Sequence, residues 1–196
     1  PHTTSLLAAI HEAKGRQSIQ TTIRPDILGT LVAVARIQST DASNRIEGIS
    51  TSDSRLNDLV SEKVTPRNRN EEEIAGYRDA LSVIHESHDY IPITPNVILQ
   101  LHRDLFRHTP LTFAGHFKDS DNVIIERDAH GTSTVRFAPP SALVTPELIE
   151  RACSAYTQAI RDGHTDPLLA IAMFILDFTC IHPFNDGNGR MSRLLT

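Results

Sequence analysis

Tryptophan is absent from this 196-residue chain, aromatic residues make up 5% of it, and its two cysteines are Cys153 and Cys180. Each shortage removes a class of protein. So few rings argue against a platform on which nucleic-acid bases stack. Two cysteines without CxxC spacing cannot build a zinc ribbon, and they read as buried or half-buried thiols of a reducing compartment. No apolar run approaches the ~20 residues of a membrane span. The opening PHTTSLLAAIHEAKGR lacks the basic start and long apolar stretch of a signal peptide. Nineteen Lys+Arg against twenty-four Asp+Glu leave a net charge of −5, the wrong sign for a general nucleic-acid binder. The expectation is a soluble, cytoplasmic protein with no membrane partner and no nucleic-acid partner for this region.

At roughly 100–200 residues per domain the length suits one domain, or one core with a small appendage. A chain this long buries about 70% of its unfolded surface and needs neither disulfide nor metal to fold. Helical periodicity dominates. Ser5 to Lys14 places Leu6, Leu7 and Ile10 on one side, with Gly15 as a stop. Pro25 opens a helix with apolar positions Ile27, Leu28, Leu31, Val34 and Ile37. That pattern extends toward Ile46, with Gly48 as a C-terminal cap, and Asp41 and Ser43 leave its continuity open. Glu71 to His88 is a further helix, its first turn crowded with acids that the helix dipole favours. Thr94 and Pro95 form an N-cap and first-turn proline for a helix carrying Val97, Ile98, Leu101 and Leu105.

Between Leu111 and Pro140 the pattern changes. Val123-Ile124-Ile125 and Thr134 to Phe137 are short β-prone runs separated by Asp128-Ala129-His130-Gly131, so a small hairpin is predicted. Helices return over Pro146 to Ile160 and Leu168 to Thr179. The second is apolar enough to be expected as the central buried helix. The fold class predicted is all-α with one β-hairpin.

Chemistry concentrates immediately after that helix, in His182-Pro-Phe-Asn-Asp-Gly-Asn-Gly-Arg190 and Met191-Ser-Arg193. Two closely spaced glycines let main-chain N–H groups approach a ligand. A following helix start adds unpaired donors and a positive dipole end, a concavity suited to phosphate. Arg190 and Arg193 can add charge-assisted contacts. Asp186 offers a hard oxygen to Mg²⁺, which binds through one or two carboxylates plus substrate phosphates. His182, with a reference pKa near 6.5, can accept a proton from an attacking hydroxyl. Taken singly, a histidine before proline is usually structural and a GxG loop is weak evidence. Together they describe phosphoryl or nucleotidyl transfer.

HPFNDGNGRMSR resembles the signature of Fic-domain proteins, H-x-F-x-[D/E]-G-N-G-R-x-x-R, at every fixed position. The likeness extends over roughly residues 24–196, and the predicted hairpin resembles the family's target-binding flap. The resemblance implies a Fic-type helical bundle, with an N-terminal helical region over residues 1–90 and a catalytic core over 91–196. Family cores usually continue through at least one more helix, so this core is expected to run on past Thr196. The implied activity is transfer of AMP from ATP to a Ser, Thr or Tyr hydroxyl of a protein target, the chain itself included, with release of pyrophosphate.

By this resemblance His182 is the general base, Asp186 holds Mg²⁺, and Gly187, Asn188 and Gly189 form the anion hole. Arg190 grips the γ-phosphate, Arg193 supports the phosphates or an inhibitory contact, and Phe184 anchors the loop. Glycine at 189, where relatives acting as kinases carry lysine, favours AMP transfer. Upstream, Ser43-Asn-Arg-Ile-Glu47-Gly48 resembles the family's inhibitory motif [S/T]-x-x-x-E-[G/N]. It implies that Glu47 pairs with Arg190 and withholds it from ATP. Val123, Ile124 and Ile125 are the candidates for docking a target strand by main-chain pairing. The other readings weighed are a non-catalytic nucleotide sensor, and a metal-dependent phosphohydrolase or AMP-removing enzyme.

Other features are left as structure. His85 and His88 lack further matched ligands. His102 and His164 are taken as structural, and the basic tract from Thr65 to Asn70 reads as a loop.

Overall fold

The computed structural model describes residues 2–23, 25–128 and 130–196. Of the expected positions, Ala129 of the turn and the side chain of Ile27 lie outside the described residues. The chain divides into two compact units, Pro1–Ser39 and Thr40–Thr196. The architecture is helical with one two-stranded antiparallel sheet, as expected.

In the first unit, α1 (His2–Ile23) runs straight through Gly15, where a stop was expected. Glycine in a helix interior costs only about 1 kcal/mol relative to alanine. Here the site is bridged by an Arg16–Glu12 ion pair and by the Ser18 hydroxyl donating to the Gly15 carbonyl. The second helix, α2 (Pro25–Ile46), is unbroken at Asp41 and Ser43. Its Leu31 and Val34 are exposed, and among its described side chains the buried ones begin at Thr40.

The helix ends as Gly48 predicts. Gly48 adopts φ +76°, its N–H bonds the Arg45 carbonyl, and the N–H of Ile49 bonds the Asn44 carbonyl. This paired closure satisfies carbonyls left open by the last turn. It leaves Glu47 as the capping residue at the end of α2.

The rest of the second unit comprises α3 (Asp53–Val60), α4 (Arg69–Ser87), α5 (Pro95–Leu105), α6 (Thr145–Asp162), α7 (Pro167–Ile181) and α8 (Asn188–Leu194). Strands β1 (Ile124–Arg127) and β2 (Ser133–Phe137) lie between α5 and α6. The Asn68 and Thr94 side chains accept N–H bonds at the starts of α4 and α5. A Cβ on Gly76 would overlap the Leu105 carbonyl oxygen, so glycine is what lets α4 and α5 pack this closely.

The core gathers Tyr77, Ile98, Leu105, Phe106, Ile149, Phe178, Phe184 and Met191, all nearly or fully inaccessible. Each large apolar side chain so buried contributes about 1.5–3 kcal/mol. The expectation that α7 is buried all round is corrected. Ala170, Phe174, Phe178 and Ile181 face the core, whereas Met173 and Leu176 are 64% and 63% exposed. The helix packs against α6 and α8 and leaves its opposite face open.

In the hairpin, Ile125 pairs with Val135 and Ile124 with Phe137, which leaves Arg136 as a bulge. Val123 and Ile125 are exposed and Ile124 is half-buried.

Candidate active site

His182 stands one residue beyond α7 in the left-handed region, at φ 51° and ψ 63°. Its N–H closes onto the Phe178 carbonyl. A non-glycine residue there is uncommon, and held strain of this kind concentrates at functional positions. The turn reverses the chain and starts the loop that leads to α8. Burial pushes the His182 imidazole pKa below its ordinary value. The Thr179 carbonyl opposes that shift, the Lys118 ammonium adds to it, and the Glu47 carboxylate opposes it. The ring's Nδ1 is buried and meets no hydrogen-bond partner among the described residues.

The loop is held from three sides. Asn188 folds its side chain back to accept from the Phe184 N–H at 2.9 Å and donate to the Phe184 carbonyl at 2.8 Å. The Phe184 ring, fully buried, stacks on His102 with centroids 3.7 Å apart, so its expected anchoring position is what the packing shows.

His102 of α5 does more than fill space. Its Nδ1 accepts the Gly115 N–H at 2.9 Å, so the proton sits on Nε2, which donates to the Asp186 carbonyl at 3.0 Å. Burial drops the His102 pKa to about 4, with the bonded Asp186 carbonyl opposing, so the ring is uncharged at neutral pH.

From the third side, the Lys118 N–H donates to the Pro183 carbonyl at 2.8 Å, and its buried ammonium donates to the Ile181 carbonyl at 3.1 Å. The same ammonium bonds Asn122 Oδ1 at 3.0 Å, and the Asn122 amide reaches the Phe184 carbonyl at 3.2 Å.

At the mouth, the Asp186 carboxylate is about half exposed, and one of its oxygens accepts the Gly187 N–H at 2.6 Å. Gly187 needs to be glycine on two counts. Its φ is +82°, and a Cβ would press on the Phe106 ring. Gly189 faces the end of α2, where an added Cβ would overlap a Glu47 carboxylate oxygen.

The two arginines part company here. Arg190 is 1% exposed and donates to Glu73 Oε2 at 2.7 Å, with its guanidinium 5.0 Å above the Phe106 ring. Arg193 donates through Nε to the Ser43 hydroxyl at 2.7 Å, and through a terminal nitrogen to the Ser43 carbonyl at 3.0 Å and Glu47 Oε1 at 2.6 Å. The expected Glu47–Arg190 pair is therefore corrected to Glu47–Arg193. Residues three apart on a helix point about 60° apart around its axis. The packing of α8 turns position 190 inward to α4 and position 193 toward α2. Ser43 and Glu47, four apart on α2, converge on one guanidinium.

Glu73, His102, Lys118 and Asn122 were not foreseen as parts of the site. Nothing local marks them, because each reaches the loop from at least 60 positions away. Arg69 joins the same margin: it donates to Glu73 at 2.7 Å and lies 3.8 Å from Asp186. The candidate docking residues Val123, Ile124 and Ile125 lie just beyond Asn122, so the root of the hairpin is bonded to the loop that carries His182.

The helical scaffold thus presents a strained histidine, a glycine-hinged loop and an arginine on which Ser43 and Glu47 converge. Comparison with known proteins identifies the family. The Fic/DOC family profile matches residues 92–196, and the chain belongs to that family. Fic proteins are generally transferases, known for AMP transfer and related transfers onto protein targets.

A Fido domain-containing protein of Dictyostelium discoideum is 38% identical over 80 residues, covering 39% of this chain and 51% of the relative. A Fic domain-containing signaling protein from Bacteroides thetaiotaomicron superposes with TM-score 0.75 at 24% identity, over 87% of this chain and 64% of that one. A Fic family protein from Desulfovibrio desulfuricans gives TM-score 0.76 at 22% identity, over 100% of this chain and 56% of that one. These structural likenesses establish the fold. The chain spans about half the length of the curated relative it matches and under two thirds of these two structures. Among the described residues, no helix is long and apolar enough to cross a membrane.

Proposed function

We propose that this chain is an autoinhibited protein adenylyltransferase, with ATP as co-substrate. The observation that carries the reading is Arg193. Two motifs far apart in sequence meet there, Ser43 and Glu47, 150 and 146 positions away, taking up the partly exposed guanidinium at the edge of the loop. Arg190, sequestered on Glu73, plays another part and fixes α8 from within. The γ-phosphate contact that the resemblance gave to Arg190 thus passes to Arg193.

In the proposed reaction the His182 imidazole takes the proton from a target hydroxyl. The hydroxyl oxygen bonds to the α-phosphorus of ATP as the bond to the bridging oxygen breaks, and pyrophosphate leaves. The target carries AMP as a phosphodiester. The neutral state of His182 favoured by its surroundings suits a base. Gly187, Asn188 and Gly189 bring main-chain N–H groups to the phosphates, although the Gly187 N–H is committed to Asp186 in this state.

Asp186 fits a magnesium ion that arrives with the nucleotide, being a single accessible carboxylate. No group of three or more His, Cys, Asp or Glu that could hold a resident ion occurs among the described residues. Bound there, magnesium would offset negative charge on the α- and β-phosphates.

Inhibition follows from competition. While Glu47 and Ser43 hold Arg193, the guanidinium is withheld from the triphosphate, and a tenfold change in the productive population needs only ~1.4 kcal/mol. Glu47→Gly is expected to raise labelling of protein from α-labelled ATP, including self-labelling, by about tenfold or more. Equal labelling by a folded variant would remove Glu47 from the mechanism. Label from the γ-position retained on protein would indicate a kinase, and free phosphate alone a hydrolase.

A further inference from the structure

The Lys118 ammonium is a buried charge bonded to the end of α7, and the proposed reaction does not use it. The residue is 3% exposed, and burial lowers its pKa against the favourable field of Asp121. Burying an ammonium costs free energy unless the surroundings compensate. Here the compensation is the Asn122 side chain and the carbonyl of Ile181, the last residue of α7, where the helix dipole also favours a cation. Asn122 in turn reaches the Phe184 carbonyl at 3.2 Å and, more loosely, that of His182 at 3.5 Å. With the main-chain bond from Lys118 to Pro183, the segment 118–122 spans the whole turn from Ile181 to Phe184.

We propose that Lys118 and Asn122 form a charged clamp through which the root of the hairpin sets both the position of His182 and the electrostatic field on its imidazole. The proposal rests on His182 being the base of the reaction above, and it makes Lys118 a positioning residue. A carbonyl cap alone needs no positive charge. The ammonium donates to the carbonyl of Ile181, the residue before His182. A positive charge so placed opposes a second one on the imidazole, which keeps the ring free to take a proton. Two other groups act on the ring: the Glu47 carboxylate at the end of α2 and the Thr179 carbonyl on its own helix, and both favour the charged form. Lys118 is therefore the counterweight to the inhibitory glutamate. Because Asn122 adjoins Val123, a target strand paired to the hairpin would pull on the same clamp.

The test is titration of the His182 ring by NMR in the full chain, without nucleotide or target, its signal assigned by loss in His182→Asn. In Lys118→Met the midpoint is expected to move to higher pH. In Lys118→Arg, which keeps the charge, it is expected to stay near the parent value. An unmoved midpoint in folded Lys118→Met overturns the proposal and leaves Lys118 a structural cap. If that variant does not fold, Asn122→Asp places a carboxylate against the ammonium and is expected to raise the midpoint, and no shift there overturns it equally. The readout does not involve AMP transfer. A chain whose midpoint moves in Lys118→Met but whose Glu47→Gly form transfers no AMP refutes the adenylyltransferase reading and not the clamp.

Discussion

The turn after α7 and the hairpin before α6 are both short departures from a helical scaffold, built in opposite ways. Along the turn, Pro183, Phe184, Gly187, Asn188, Arg190 and Met191 are buried, and carbonyls of residues 181, 183, 184 and 186 are bonded from two other segments, 118–122 and α5. In the hairpin every residue of β2 is exposed, and only Ile124 of β1 is partly covered. One segment has a single arrangement enforced by packing, while the other presents strand edges and apolar side chains to whatever approaches. In the proposed reaction that division is sensible. A proton acceptor must be placed to fractions of an ångström, whereas a docking strand has to adapt to a partner.

The contrast is broken most severely at the base. His182→Ala is expected to lower AMP transfer by ~10²–10⁴-fold without abolishing nucleotide binding, measured by incorporation of α-label and by nucleotide titration. In stability, truncating the anchor of the turn by Phe184→Ala should cost ~3–5 kcal/mol in urea unfolding.

A smaller effect comes from pH. In the unfolded chain His102 titrates near 6.5 and in the fold at about 4, so between these values only the unfolded state binds the proton. Stability is full above the upper value and falls as pH drops through the window, by about 2 kcal/mol between pH 7 and pH 5. His102→Gln should flatten that slope. Smallest of all, Val135→Ala in the hairpin should change stability by no more than ~0.5 kcal/mol, since the side chain is 64% exposed. A large cost there would show that the hairpin is as rigidly built as the turn.

Much of this was legible in the order of residues. Caps at Thr94 and Gly48, the hairpin, and the succession of functional residues from His182 to Arg193 all depend on neighbours within a few positions. Three features were not. The helix α3 buries only Leu56 and Leu59 over 8 residues, too little periodicity to register. The acids of α4 looked like dipole partners. In the fold, Glu71 is bonded to Arg55, which holds its pKa at about 2, and Glu73 is shared by Arg69 and Arg190. Leu176 and Met173 looked like core because their composition carries no information about what packs against them.

The amino-acid sequence alone determined most of the helices, their caps and the order of candidate residues from His182 to Arg193, because those follow from steric and hydrogen-bonding rules acting over a turn or two of chain. Which arginine meets Glu47, which histidine holds Asp186 in place and which ammonium caps the end of α7 were decided by tertiary structure. The rotation of α8 about its axis and the approach of α2, α4 and α5 to it are set by packing between segments far apart in the chain, and that packing has no local signature.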